Sequence, residues 1–261
     1  MNELEDTLLL NQNRLHFASK SILGERRSQQ DAIGVVARDE ETTLSIVADG
    51  MGGLSGGELA SMVTLNTFSG HFMNDPIDSV PRFLYELADE CDQTIYTLRD
   101  EQGKLLKAGT TLVAAYVHQD QLYYISVGDS RLYLYRNHQL IQLTKDHNYA
   151  MLLEEAKGKM SREAYQNEIK KGEFLVSYLG MGGLKYLELT KEPIVLQPQD
   201  YLLLCSDGLY KRLSDDKIAA ILRDAPFLSI ARCVDLLLEE ATEAYNGRRQ
   251  DNTSVILEGY Y

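Results

Sequence analysis

Apolar residues recur at every third or fourth position in several stretches of the chain, a spacing that predicts amphipathic helices. The clearest stretch starts at Ser79, a suitable N-cap, has Pro81 in its first turn, and closes at Gly103. Further helices are predicted over residues 56–73, 149–171, 214–223 and 227–245.

Most of the remaining chain consists of runs of β-branched, aromatic and other apolar residues, either continuous or alternating with polar residues, which predict β-strands. Two pairs of runs flank short polar turns, at Gln119-Asp120 and at Asn137-His138, and each pair predicts a β-hairpin. Single strands are predicted at the sequences AIGVVA, LSIVAD, PIVL, YLLLCSD and NTSVILEG. Several hairpins, with helices bunched between groups of strands, predict an α+β fold and not a parallel βαβ repeat.

The chain shows no internal repeat, no low-complexity tract and no linker, so residues 1–261 are interpreted as a single domain. Its least regular stretch, residues 148–185, is dense in Glu, Lys and Arg and ends in LGMGG. We expect this stretch to form an appended flap subdomain. A charged, solvated helical hairpin is the plainer interpretation, and the two are compatible.

Composition limits the classes of partner. With 44% apolar and 25% charged residues the chain is typical of a globular protein. A net charge of −13 argues against binding to nucleic acids or anionic membranes, and no apolar run approaches the ~20 residues of a membrane span. The acidic N-terminus is unlike a signal peptide, so a cytoplasmic protein is expected.

The three cysteines form no CxxC pair and are expected to be free, buried thiols.

Carboxylates stand beside four of the predicted strands. Asp49, Asp129 and Asp207 each follow an apolar run, and Asp251 immediately precedes one. Each aspartate alone is more readily explained as a turn former or a helix cap. Together they could converge on one cleft, where like charges would raise one another's pKa unless a cation lay between them. Such oxygen ligands favour Mg²⁺ or Mn²⁺, and the backbone carbonyl of Gly50 can add a further ligand.

Two arginines, Arg26 and Arg27, precede another acid, Asp31, which opens a predicted strand. An arginine beside a metal site can direct two donors at a phosphate group. If this segment is considered alone, a pair of solvated surface arginines is the simpler interpretation.

Seven motifs follow one another along the chain: RRSQQDA, VADGMGG, AGTTLVAAYV, VGDSRLYLYR, LTKDH, LLLCSDGLY and DNTSVI. In this order they resemble the bacterial metal-dependent serine/threonine protein phosphatases of the PPM or PP2C family. The resemblance runs from about residue 20 to residue 258. It implies a fold of two packed antiparallel β-sheets flanked by helices, an α-β-β-α sandwich with a helical flap.

The resemblance also implies a set of metal ligands. Asp49 would bridge two Mg²⁺ or Mn²⁺ ions, and the carbonyl of Gly50 would complete the coordination of one of them. Asp207 and Asp251 would hold the second ion. Asp129 would bind a third, weaker ion and share Asp207 with it.

The remaining implied roles concern the substrate and the protons. Arg26 would bind the substrate phosphate, although Arg27 lies only one position away. Asp31 would act through a metal-bound water. Met51 stands where many eukaryotic members have a histidine proposed as the general acid, so the proton donor is unassigned. A metal-bound water is one candidate, and His147 is a weak second.

The implied activity is hydrolysis of phosphoserine and phosphothreonine in proteins by a metal-bridging water or hydroxide, without a phosphoenzyme. A monomer acting on phosphorylated proteins, in partnership with a Ser/Thr kinase, is expected. One alternative is a catalytically weak or inactive member of the family that serves as a regulatory binding module, which the loss of a metal aspartate would favour. Another is a related metal phosphohydrolase that acts on a small molecule, or a switch phosphatase that serves a regulatory partner.

Overall fold

Two antiparallel β-sheets pack face to face, and helices cover the outer face of each sheet. The structure is a computed structural model that describes residues 8–11, 15–52, 56–157, 161, 163, 165, 168–244, 247 and 249–261. The predicted α+β architecture of two packed sheets flanked by helices is confirmed.

In chain order, the strands are β1 (Leu8–Asn11), β2 (Leu15–Ile22), β3 (Asp31–Ala37), β4 (Thr42–Gly52), β5 (Ala108–Thr110), β6 (Leu112–His118), β7 (Gln121–Val127), β8 (Arg131–Arg136), β9 (Gln139–Gln142), β10 (Glu188–Leu189), β11 (Ile194–Val195), β12 (Asp200–Cys205) and β13 (Thr253–Tyr260). The first sheet has the order β1-β2-β13-β12-β8-β9, and the second has the order β10-β7-β6-β4-β3, with β11 paired to β7 and β5 paired to β4. Both predicted hairpins form, β6–β7 and β8–β9.

The helices in the described part of the chain are α1 (Gly56–Asn74), α2 (Val80–Tyr96), α3 (Tyr149–Glu155), α4 (Asp207–Tyr210), α5 (Asp215–Arg223) and α6 (Ile230–Glu243), with short 3₁₀ turns at Ile169–Lys171 and Ala225–Phe227. Helix α5 begins as predicted, because the Ser214 side chain accepts a hydrogen bond from the Lys217 amide and so caps its first turn.

Three predicted helices are shorter than their sequence pattern, and the one predicted over residues 227–245 forms α6 only from Ile230 to Glu243. Helix α2 ends at Tyr96, and Gly103 (φ +79°) lies in a turn where the chain folds back so that the amide of Leu106 donates to the carbonyl of Leu98. Gly103 therefore allows the chain to reverse direction and does not cap the helix. The helix predicted over 149–171 is interrupted: α3 ends at Glu155, and residues 158–160, 162, 164, 166 and 167 of that prediction lie outside the described residues.

Strands β1, β2, β5 and β10 are not among the predicted elements. Strand β2 has polar residues between its apolar ones, which obscures its pattern, yet it pairs along its whole length with β13. Strands β5 and β10 are only three and two residues long, too short to show a periodicity.

Three apolar layers hold the fold together. One lies between the two sheets and includes Phe17 and Ile256. The second lies between the sheet of β4 and helices α1 and α2, and the third lies between the sheet of β12 and helices α5 and α6. The cysteines are buried and free in these outer layers, as expected: Cys91, Cys205 and Cys233. None of the helices in the described residues has the length and apolar character that crossing a membrane requires.

Candidate active site

Asp49 lies inside strand β4 and not at its end, which corrects the sequence interpretation. The strand continues to Gly52 because β5 replaces β6 as its pairing partner, with Gly50 opposite Thr110. The amide of Asp49 donates to Thr111 Oγ1 at 3.0 Å, and the amide of Thr111 donates to the Asp49 carbonyl at 2.9 Å. The backbone on both sides of the carboxylate is therefore held by hydrogen bonds.

Gly50 occupies a position that a larger residue cannot fill. A Cβ atom there would lie 2.2 Å from the carbonyl oxygen of Gly57 and 2.5 Å from that of Gln30. The backbone of β4 thus packs directly against the first turn of α1, and the Gly50 amide donates to the Gln30 carbonyl at 3.0 Å.

The other aspartates reach the same region from the opposite sheet and from one loop. Strand β12 ends at Cys205, so Asp207 is the first residue of the short helix α4 and not the last residue of a strand. Asp251 stands just ahead of β13, the neighbour of β12, and Asp129 follows β7 after Gly128, whose φ of +103° turns the chain. Antiparallel pairing of β12 with β13 places the start of α4 beside Asp251.

These side chains line one open cleft of about 460 Å³. Its walls include Arg26, Gln30, Asp49, Gly50, Met51, Gly52, Asp129, Glu173, Phe174, Leu175, Tyr178, Asp207, Lys211, Asp251 and Asn252. The cleft therefore brings together every predicted site residue except Asp31. Arg27 is exposed and is not among the lining residues, whereas its neighbour Arg26 is.

Asp31 is buried behind the cleft and lies opposite Asp49 in the register of β3 and β4. Its Oδ2 accepts hydrogen bonds from Ser206 Oγ at 2.8 Å and Ser254 Oγ at 2.7 Å. Burial raises the pKa of Asp31 to about 7, and the charges of Asp207 and Asp251 add to this, against the effect of the two hydroxyls. Asp31 therefore does not line the cleft, and it contacts the site only through Ser206, Ser254 and its strand partner Asp49.

The carboxylates of the cleft repel one another, as the sequence predicts. Burial raises the pKa of Asp49 well above its usual value, and the charges of the surrounding aspartates raise it further. Burial, and then the charge of Asp207, raises the pKa of Asp129 to about 6. Two cations oppose this repulsion. Arg26 Nη2 donates to Asp251 Oδ2, and Lys211 Nζ donates to Asp207 Oδ2 at 2.6 Å.

The donor set fits a hard divalent cation by its chemistry. The four aspartates and Glu173 line this cleft together with Gly50, and carboxylate and backbone carbonyl oxygens are ligands of the kind that Mg²⁺ and Mn²⁺ prefer. As the side chains stand, no three His, Cys, Asp or Glu among the described residues are arranged to hold a metal ion. Two of the four aspartates are instead paired with Arg26 and Lys211.

His147, the weak candidate for general acid, lies outside the cleft lining and is 3% exposed. Burial lowers the pKa of His147 to about 4, so the imidazole is neutral at pH 7. Its Nδ1 accepts a hydrogen bond from the Gly128 amide at 3.0 Å. The ring therefore supports the loop that carries Asp129.

Sequence reasoning missed three residues that the structure brings to the site. Lys211 stands four residues after Asp207, a spacing that faces two side chains toward each other on a helix and was the available signal. Asn252 accepts from the Gln30 amide at 2.9 Å and so links the segment after Arg26 to Asp251. Thr111 holds the backbone of Asp49, and nothing local in the sequence marks it for that role.

The end of the segment predicted as a flap is anchored to the cleft and to α2. Leu179 and Thr110 exchange two backbone hydrogen bonds, of 3.1 and 2.9 Å, beside Gly50. The buried Asp92 of α2 accepts from the amides of Gly180 at 2.7 Å and Met181 at 2.9 Å. The end of this segment is thus held in a fixed position beside the cleft.

Comparison with known proteins identifies relatives over most of the chain. The family model described as Protein phosphatase 2C matches residues 20–235. The serine/threonine phosphatase stp of Listeria monocytogenes serotype 4b (strain F2365) is 33% identical over 236 residues, covering 89% of this chain and 90% of that protein.

Solved structures have the same fold. The S. agalactiae serine/threonine phosphatase aligns with a TM-score of 0.81 at 25% identity, over 95% of this chain and 100% of that one. The catalytic domain of the serine/threonine protein phosphatase PstP, solved in complex with two manganese ions, aligns with a TM-score of 0.75 at 27% identity, over 94% of this chain and 98% of that one.

Proposed function

The chain belongs to the protein phosphatase 2C family and is a serine/threonine phosphatase, and we propose that it hydrolyses phosphoserine and phosphothreonine in proteins with the help of two Mg²⁺ or Mn²⁺ ions. One observation carries the proposal: four aspartates and one arginine from distant parts of the chain line a single open cleft. Relatives named serine/threonine phosphatases support the substrate class. The PstP structure with two manganese ions supports the choice of metal.

Asp49, the Gly50 carbonyl, Asp207 and Asp251 would hold the two ions. The chemistry that such ions supply is a water of lowered pKa, which serves as the nucleophile at neutral pH. Asp31 supports this ligand set from behind. Its Oδ2 accepts hydrogen bonds from the hydroxyls of Ser206 and Ser254. Ser206 is next to Asp207 in sequence, and Ser254 lies at the start of β13.

Arg26 would bind the substrate phosphate. Its guanidinium reaches Asp251 from the cleft wall and is about half exposed, so it is accessible to a ligand. A planar guanidinium can donate two parallel hydrogen bonds to phosphate oxygens and neutralise the charge that develops on them.

Cys205 and Ser206, which directly precede Asp207, are poorly suited to forming a phosphoenzyme. Cys205 is fully buried in β12, and burial raises the pKa of its thiol far above neutrality. Ser206 is buried and donates its hydroxyl to Asp31. Direct attack by water is therefore the proposed route.

The flap side of the cleft would contact the protein substrate around the phosphorylated residue. Phe174 lines the cleft and is 68% exposed, and Leu175 and Tyr178 line it as well. An exposed aromatic side chain at the rim of a charged cleft is suited to packing against a peptide. We propose phosphorylated proteins as substrates, a Ser/Thr kinase as the partner that produces them, and a monomer as the working form.

Hydrolysis of a phosphothreonine peptide tests the proposal. With Mn²⁺ we expect turnover that EDTA abolishes and that Asp207→Asn reduces by at least about 100-fold, since one removed electrostatic group in an active site typically costs that much. Asp216→Asn is the matched control, because Asp216 is an exposed aspartate in the first turn of α5 and does not line the cleft.

Turnover that survives both EDTA and Asp207→Asn would show that the metal mechanism is wrong. Binding of the phosphopeptide with no turnover in Mn²⁺ would favour a binding module. Hydrolysis of an aryl phosphate without hydrolysis of any phosphopeptide would favour a small-molecule substrate.

A further inference from the structure

Lys211 places an ammonium group between two carboxylates of the cleft. Its Nζ lies 2.6 Å from Asp207 Oδ2 and 3.8 Å from Asp129 Oδ2. The side chain is 30% exposed, against 18% for Asp207 and 7% for Asp129. All three residues line the cleft, so this group belongs to the site and not to the outer surface.

The position of Lys211 is set by the backbone. Lys211 follows the last residue of α4, and its amide donates to the Asp207 carbonyl at 3.0 Å, closing the turn of that helix. Residues four apart on a helix face each other, so the lysine side chain lies over Asp207. Asp129 comes to the same ammonium from the loop after β7.

A divalent ion shared by Asp129 and Asp207 would need this same space. Such an ion contacts its carboxylate ligands at about 2.0–2.6 Å, so an ion bound through the two Oδ2 atoms would lie where the Lys211 ammonium approaches them. The ammonium already supplies a positive charge there, and it would repel a cation brought within a few ångströms. A bound ion and the lysine side chain in its present position exclude each other.

We propose that the Lys211 ammonium takes the place of a third metal ion between Asp129 and Asp207, so that the chain binds two divalent ions and not three. The inference rests on the proposed function, because it concerns the same metal site. It gives Lys211 the role of a positioning residue. The ammonium of Lys211 neutralises Asp129 and holds Oδ2 of Asp207.

Counting bound Mn²⁺ tests the inference without any measurement of activity. The full chain is stripped with EDTA, titrated with Mn²⁺ by calorimetry, and analysed for metal after equilibrium dialysis. We expect two ions in the wild type and three in Lys211→Met, whose side chain has similar length and no charge. Lys211→Arg, which keeps the charge, is expected to stay at two.

Two further variants locate the additional ion. Asp129→Asn alone is expected to leave the count at two, because Asp129 holds no ion when Lys211 is present. The double variant Lys211→Met, Asp129→Asn is expected to return the count from three to two. Lys217→Met is the matched control, since Lys217 is a lysine of α5 that pairs with Glu240 outside the cleft, and its count should equal that of the wild type.

The outcomes separate this inference from the proposed function. No bound Mn²⁺ in the wild type would overturn both. Three ions in the wild type, or two in Lys211→Met when circular dichroism shows that variant to be folded, would overturn the inference alone. If Lys211→Met does not fold, Lys211→Gln replaces it, and a fall from two ions to one in Asp129→Asn would equally contradict the inference.

Discussion

Glu258 is a carboxyl group enclosed between the two sheets, and its ionisation should control much of the pH dependence of stability. It lies in β13 and is 1% exposed. Ser45 Oγ of β4 donates to its Oε1, while Oε2 has no hydrogen-bond partner among the described residues. Burial raises the pKa of Glu258 to about 7, although the hydrogen bond from Ser45 lowers it in part.

The size of the effect follows from the shift in pKa. The pKa of this carboxyl moves from its ordinary value of 4.5 to about 7, and each unit corresponds to about 1.4 kcal/mol, so roughly 3 kcal/mol is at stake. Between these two values the folded protein holds a proton that the unfolded chain has released. Rising pH therefore favours unfolding, with the loss beginning near pH 4.5 and complete above about pH 7.

Glu258→Gln removes this titration while keeping the shape of the protonated side chain. We expect the variant to match the wild type near pH 4.5 and to exceed its free energy of unfolding by roughly 3 kcal/mol at pH 8.5. Urea unfolding followed by circular dichroism, at steps from pH 4.5 to pH 8.5, measures both proteins. Only their difference is used, because the carboxylates of the cleft titrate alike in both.

A difference that does not change with pH would refute this reasoning, and so would a variant less stable than the wild type at pH 8.5. The matched control is Glu86→Gln, which changes an exposed glutamate of α2 paired with Arg82. An exposed ion pair contributes about 0–1 kcal/mol, so this control should show only a small difference at every pH.

Two other predictions follow from the geometry of the site. Gly50→Ala should lower the free energy of unfolding by about 1–3 kcal/mol or more in urea titrations, because its Cβ would lie 2.2 Å from the Gly57 carbonyl oxygen. Gly70→Ala, in the open interior of α1, should instead leave stability unchanged or raise it by up to about 1 kcal/mol, and equal losses in both would contradict the packing argument. Arg26→Ala should raise KM for a phosphopeptide more than Arg27→Ala does, because only Arg26 lines the cleft, and equal or reversed effects in steady-state kinetics would show that the wrong arginine was chosen.

Local patterns in the sequence were enough to predict the elements whose burial is regular. The helices at Gly56–Asn74 and Asp215–Arg223 have the predicted bounds to within one residue, and the hairpin turn at Asn137-His138 adopts φ of 51° and 62°, which suits a two-residue turn. These features depend on contacts a few residues apart, which periodicity and capping residues report directly. The strands β2 and β5 escaped prediction because their pairing partners, and not their own patterns, determine them.

In the candidate site, too, some features were predictable from the sequence and others depend on the tertiary structure. The sequence by itself predicted that Asp49, Asp129, Asp207 and Asp251 could converge on one cleft, because each stands at the boundary of an apolar run and most lie next to glycine. Only the tertiary structure decided that Asp49 lies inside its strand, that Asp31 is buried behind Ser206 and Ser254, and that the ammonium of Lys211 approaches Asp129. The physical reason is that desolvation and charge pairing depend on distances between groups far apart in sequence, and those distances exist only once both sheets have packed.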